Sequence, residues 1–342
     1  MGRRALLIAL SFLVSAAFCE GMLRLAWTNP YRTELVDRVT PLRMHHGLRQ
    51  LPVDRHEIDP ESPVGLLRTD ERSYILPARR FEKPEATIVF LGGSTTECAA
   101  LDEDQRFPAL VSKLLEAKGR RVDTLNAGVS GNTTHDALNL LLDHVSEDHP
   151  DVAVLMEAAN DAGVLLHDRS YRSRGAQLVD GSTLVKWPLQ LASSKLWLAG
   201  LLRSYFYVGS VEKSPPVDPN AKDELAPTEE YEKRLRAFAR LTRAFGIEPV
   251  LMTQPSSAVR TPDTPRWVTA RNQDAFNEVL RRVAREENVP LIDLVAHLEQ
   301  DVPGFREPMK IFYDGIHVGP EGARVYAEYI TARLLETVLR PK

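Results

Sequence analysis

"ATIVFLGGSTTE", Ala86 to Glu97, decides how this chain is read. Its first half is a short, continuous apolar run rich in β-branched residues, the form of a strand covered on both faces. Two glycines follow, which permit tight backbone geometry, and then a serine that such a turn presents instead of packing. A strand covered on both faces implies a parallel sheet held between helices. The rest of the chain should then alternate strand and helix.

It does. Phe107, Leu110, Val111, Leu114 and Leu115 recur at helical spacing, and Gly119 closes that helix. "RRVDTLN" reads as a second strand, and Ala137, Leu138, Leu141, Leu142 and Val145 as a second helical stripe. "DVAVLME" is a third strand. After a patternless insertion at about 163–227, Tyr231, Leu235, Phe238, Leu241 and Phe245 resume the helical spacing. "EPVLMTQ" and "VPLIDL" are the fourth and fifth strands, with a helix through Phe276, Val279, Leu280 and Val283 between them. A last helix opens at Pro320, a favoured first helical position. The expected fold is α/β, a three-layer sandwich around a five-stranded parallel sheet with right-handed crossovers.

In such sheets ligands bind outside the carboxyl ends of the strands, and Ser94 follows the first strand. A phosphate loop needs G-x-x-x-x-G-K-[ST], a dinucleotide loop G-x-G-x-x-G, and an α/β-hydrolase elbow G-x-S-x-G; none occurs around Ser94. A serine nucleophile needs a base, a carboxylate to orient it and donors for an oxyanion. The second strand runs into "NAGVSGNTT", where Gly131 offers a backbone N–H, and the third into "EAANDAG", where Asn160 offers a side-chain amide. "YDGIHVGPEG" places Asp314 and His317 three apart in a glycine-containing turn. The carboxylate there reaches one imidazole nitrogen and leaves the other for Ser94. Each piece is weak alone, and a lone serine or histidine is more often a plain turn or surface residue. Their order along successive strand ends is what carries weight.

On these residues the chain resembles an SGNH hydrolase of the GDSL esterase superfamily, with a flavodoxin-like sheet, over roughly Ala86 to Leu339. Ser94 matches that family's block I serine, Gly131 its block II glycine and Asn160 its block III asparagine; Asp314 and His317 match its Asp-x-x-His. The resemblance implies a Ser94–His317–Asp314 triad, an oxyanion hole from Ser94, Gly131 and Asn160, and no metal or organic cofactor. Gly93 stands where the family usually has Asp, and Ala158 where it usually has Gly. The added methyl of Ala158 is expected to tighten the pocket or lower activity. The implied activity is extracytoplasmic hydrolysis of small acyl esters or acylated carbohydrates. Its rivals are O-acyl transfer to a polysaccharide and a non-catalytic envelope protein that keeps the fold.

The remaining features narrow the setting. The chain has 342 residues and a formal net charge of -4, with no long basic run, which gives no support to a nucleic-acid partner. Two cysteines, Cys19 and Cys98, exclude a disulfide framework and a thiolate metal site. His135, His144 and His149 lie on or near one helix without metal-ligand spacing, and read as a solvated helix face. Asp161 reads as a structural residue holding its loop. Arg3 and Arg4 precede an apolar run from Ala5 to Cys19, the form of an export signal. Residues 1–27 are expected to be an uncleaved membrane anchor or a cleaved signal, with the rest of the chain outside the cytoplasm. "EGMLRLA" after that run also resembles membrane-anchored bacterial members of the family. Residues 28–85 read as an irregular lead-in, and 86–342 as the hydrolase domain.

Overall fold

The computed structural model describes residues 3–26, 49–50, 66–171, 192, 195–207, 225–257, 270–307 and 310–340. Most of the insertion read at 163–227 lies outside them, and so does most of the lead-in.

Five parallel strands form the sheet: β1 (Ala86–Gly92), β2 (Val122–Gly128), β3 (Val152–Met156), β4 (Glu248–Met252) and β5 (Leu291–Ile292). Their order is β2-β1-β3-β4-β5, so the order reverses between β1 and β3. That reversal opens a crevice at the carboxyl edge, where neighbouring crossovers leave to opposite faces. Alternation along β1, with a core on each face, explains an apolar composition broken only by Thr87. Ile88 and Phe90 join the core on one face, and Val89 and Leu91 the core on the other.

Following α1 (Arg3–Ala26) and α2 (Ser94–Glu97), one face carries α3 (Phe107–Ala117), and the other α4 (Thr134–Leu140) and α5 (Ala159–Asp168). Next come α6 (Trp197–Tyr207), α7 (Glu229–Ala244) and α8 (Ala270–Glu286), and finally α9 (Leu294–Asp301) and α10 (Pro320–Thr337). Tyr231, Phe238 and Phe276 of α7 and α8 pack with α4. Leu298, Tyr326 and Ile330 of α9 and α10 pack with Phe107 of α3. The fifth strand is shorter than read because Asp293 stops it. Its carboxylate accepts from the Ala296 N–H at 3.1 Å and caps α9.

Residues 66–85 are docked on this domain, although they were read as lead-in. Ile75 bridges antiparallel to Asn126 of β2, and its N–H donates to the Asn126 carbonyl at 2.9 Å. Tyr74 is fully buried, and its hydroxyl donates to Asp148 at 2.7 Å. The helical stripe of α4 continues as a π turn, Leu141–Val145, beside which the His144 ring nitrogen meets the Arg72 carbonyl at 2.7 Å. His144 is therefore a pin for this segment and not part of a solvated face.

The N-terminal helix α1 leans on α6 through polar contacts. Glu20 accepts from the Trp197 and Leu198 N–H groups at 3.0 and 2.9 Å, closing the α6 amino end. Arg24 donates to Glu20 at 2.8 Å and lies 4.5 Å above the Trp197 ring. Apolar side chains elsewhere on α1, among them Ile8, Phe12, Phe18 and Leu25, are exposed. Among the described residues no helix is long and apolar enough to cross a membrane. Glu20, Gly21 and Arg24 break the apolar character of the expected anchor, residues 1–27.

Candidate active site

The backbone after β1 is fixed by close approach. A Cβ on Gly92 would sit 2.7 Å from the Met156 carbonyl of β3, and one on Gly128 would sit 2.3 Å from the Glu97 nitrogen. Neither contact is possible, so both glycines let α2 press against the ends of β2 and β3. Gly128 is thus a packing requirement. Ser94 opens α2, whose first turn closes through Thr96 and Glu97 N–H groups donating to the Gly93 carbonyl.

From the other side comes the turn between α9 and α10. A Phe312–Val318 bridge closes it, and the Tyr313 N–H donates to the His317 carbonyl at 3.0 Å. Gly315 holds φ +105°, which suits glycine alone, and its carbonyl accepts from the Ser257 N–H at 2.7 Å. Inside the turn the Asp314 carboxylate is fully used. One oxygen accepts from the Ile316 and His317 N–H groups, and the other meets His317 Nδ1 at 2.6 Å. His317 Nε2 lies 2.7 Å from Ser94 Oγ. With Nδ1–H donating to the carboxylate, Nε2 is left with its lone pair toward the serine hydroxyl. Burial pushes the Asp314 carboxyl up, but the His317 ring and the two backbone donors outweigh it and hold it below its ordinary value.

Gly131 holds φ +77° in the loop after β2. Asn160, on the first turn of α5, donates its amide to the Asn132 carbonyl at 2.7 Å, which ties the block II loop to block III. A Cβ on Gly93 would lie 2.5 Å from that amide nitrogen and 3.4 Å from Glu157 Oε1. A side chain on Gly93 would therefore have to displace the Asn160 amide. Ala158 does not tighten the pocket. Its side chain is fully buried in the core with Leu155 and Ala162, and does not line the pocket. Asp161 does hold its loop, accepting from the Thr134 N–H at 3.1 Å and from the Tyr171 hydroxyl. Burial pushes its carboxyl up to about 6, against these hydrogen bonds.

A cavity of about 340 Å³ opens over Ser94 and His317. Cys98, Ala99, Ala100, Leu101, Tyr313 and Val318 form its apolar wall, and Ser130 adds a hydroxyl. Cys98, unsettled from sequence, is buried with its Sγ 3.2 Å from the Thr95 carbonyl, and burial pushes its thiol up to about 12. It is a packing residue at the cavity edge, with little thiolate to offer.

Sequence reasoning missed Ser130, Glu97 and Glu157. Glu157 alone carried a signal, an acidic residue directly at the end of an apolar strand run; Ser130 and Glu97 carried none. Glu97 ends α2, and Glu157 ends the apolar run of β3.

A doubly wound α/β sandwich with serine, histidine and aspartate in hydrogen-bonded sequence at its switch point defines a hydrolase of the serine type. The model of the GDSL-like lipase/acylhydrolase family matches residues 90–325, and the chain belongs to that family. It is an ester-cleaving hydrolase. Among curated proteins no sequence matches it. Solved structures resemble it at low identity. The lipase/acylhydrolase from Enterococcus faecalis is 21% identical, with 75% of this chain and 98% of that one covered and a TM-score of 0.47. The acetylxylan esterase Axe2 from Geobacillus stearothermophilus is 20% identical, with 73% and 94% covered and a TM-score of 0.47. A putative lipolytic protein of the G-D-S-L family from Desulfitobacterium hafniense is 14% identical, with 73% and 100% covered and a TM-score of 0.45. The family assignment stands on the family model and not on these likenesses.

Proposed function

We propose that the chain hydrolyses small acyl esters through an acyl-enzyme on Ser94. The observation that carries this is the continuous chain Asp314–His317–Ser94, with contacts of 2.6 and 2.7 Å. His317 takes the serine proton through Nε2 as Oγ attacks the ester carbonyl, while Asp314 holds the tautomer and stabilises the imidazolium. The developing oxyanion is received by the Ser94 and Gly131 N–H groups and by the Asn160 amide, which has a second hydrogen beyond the one given to Asn132. His317 then protonates the departing alcohol, and water, deprotonated by the same nitrogen, resolves the acyl-enzyme.

Ser94→Ala should lose essentially all turnover of a short acyl ester, and labelling by a serine-reactive phosphonate should vanish with it. Wild-type turnover that survives in Ser94→Ala would refute this assignment. Water-independent turnover that depends on added saccharide acceptors would make the enzyme a transferase.

Location belongs to the same reading. The exposed apolar side chains of α1 support its association with a lipid surface, and Arg3 and Arg4 ahead of them support a domain held outside the cytoplasm. A reporter fused after Lys342 should register the non-cytoplasmic side. A cytoplasmic signal would remove this part of the proposal.

A further inference from the structure

We propose that Ser130 is a specificity residue that accepts a hydrogen bond from a hydroxyl on the alcohol half of the ester, with its polarity set by the buried carboxylate of Glu97. The inference rests on the ester-cleaving reading of Ser94 above. Ser130 is half-buried and shares the cavity with Ser94 and His317. Its hydroxyl donates to Glu97 Oε2. A hydroxyl has one hydrogen and two lone pairs, so Ser130 Oγ meets the cavity as an acceptor only. It rewards a substrate donor and offers nothing to an ether or carbonyl oxygen.

Glu97 is not free to turn away. Its side chain is fully buried, and its N–H closes α2 onto the Gly93 carbonyl at 2.9 Å. Gly128 leaves its backbone no slack, since a Cβ there would stand 2.3 Å from the Glu97 nitrogen. Asn126 Nδ2 adds a hold on the preceding carbonyl, that of Thr96, at 3.0 Å. The acceptor face of Ser130 is therefore built from the core outward.

The alcohol half is assigned through His317. Its Nε2 must return a proton to the leaving oxygen, and the same ring lines the cavity that Ser130 lines. A leaving alcohol seated in this cavity shares it with Ser130, whose acceptor is then open to a hydroxyl near the ester oxygen. A neighbouring hydroxyl supplies the donor, as in a polyol or a sugar; a plain alkyl group does not. The substrate class is an ester of a polyhydroxylated alcohol.

The test is a matched pair of acetates, 2-hydroxyethyl acetate and 2-methoxyethyl acetate, which differ by capping that hydroxyl. Wild type should favour the hydroxyethyl ester in kcat/KM by about tenfold, the scale of one hydrogen bond made only by the preferred substrate. Ser130→Ala should bring the ratio close to one. In Glu97→Gln one carboxylate oxygen becomes an NH2, and a glutamine that turns this group to Ser130 Oγ donates to it and sends the serine hydrogen to the cavity. The preference should then move toward the methoxy ester, with no cavity atom removed, which a steric role for Ser130 would not produce. A wild-type ratio near one, or a ratio unchanged in Ser130→Ala, overturns the inference and leaves the esterase reading intact. Absence of Ser94-dependent turnover of both esters overturns both. Should Glu97→Gln fail to fold, the Ser130→Ala ratio decides alone.

Discussion

The two halves of the site are built from different material. Ser94, Gly93, Gly131 and Asn160 lie where β1, β2 and β3 end, and the buried residues Glu97, Asn132, Glu157 and Asp161 surround them. Asp314 and His317 belong to a turn near the surface, with Asp314 partly open to solvent. The first half is held by the core, so its geometry is inseparable from the fold. The second is held by a bridge, a glycine with positive φ and the aspartate's own hydrogen bonds, so its chemistry can be removed while the fold stays. Activity and stability should therefore part company between them.

The largest effect should come from the surface half. His317→Ala removes the base, and kcat should fall on the order of 10⁵–10⁶, while the urea midpoint stays near that of wild type. Asp314→Asn should cost about 10⁴, because the amide favours the wrong tautomer without moving the ring. A midpoint that drops sharply in His317→Ala would break the comparison, since the turn would then be part of the cooperative core.

The buried half should show smaller losses of activity and larger losses of stability. On the proposed mechanism Asn160→Ala removes one oxyanion donor, worth about 10²–10³ in kcat. It also leaves the Asn132 carbonyl without the amide that meets it at 2.7 Å, so the midpoint should fall as well. Gly128→Ala touches no reacting group, yet its methyl meets the Glu97 backbone, which has no flexible atom to yield. It should destabilise by roughly 2–3 kcal/mol, the scale of overpacking. A Gly128→Ala protein of wild-type stability would mean that α2 is not fixed as tightly as its contacts require.

This asymmetry also explains what the sequence made legible. The strands and most helices were readable because a core on each face makes β1 a continuous apolar run and imposes helical spacing on α3, α7 and α8. The hydrogen-bonded series Ser94, His317 and Asp314 was readable because chemistry fixes the type and order of its members. The supporting shell was not. Glu97 and Glu157 have no periodic signature, and their burial is decided by contacts between strand ends far apart in the chain. The docking of residues 66–85 was hidden for a related reason. Its anchors, Tyr74 with Asp148 and Ile75 with Asn126, pair an irregular segment with positions that only the folded sheet brings near.

The smallest effect sharpens the comparison through pH, because one aspartate from each half is shifted in the opposite direction. Burial pushes Asp161 up to about 6, despite hydrogen bonds from Tyr171 and Thr134. The folded chain therefore holds this proton more tightly than the unfolded one. Its stabilisation is complete below the unfolded value of about 4 and is lost as pH rises through about 6. Asp314 is the reverse case. Burial raises it, but the His317 ring and the backbone donors lower it further. Its stabilisation is present above about pH 4 and is lost as pH falls through the folded value. Urea midpoints measured from pH 3 to pH 7 on wild type, Asp161→Asn and Asp314→Asn separate the two. Between pH 4 and 6 the wild type should lose stability relative to Asp161→Asn, whatever constant offset the lost Tyr171 and Thr134 contacts impose. The deficit of Asp314→Asn should instead shrink below about pH 4 and hold steady above it. A difference between wild type and Asp161→Asn that stays flat over that range would show that the hydrogen bonds to Asp161 outweigh its burial. The buried half would then be electrostatically relaxed, and its rigidity would rest on the backbone contacts of Gly92 and Gly128 alone.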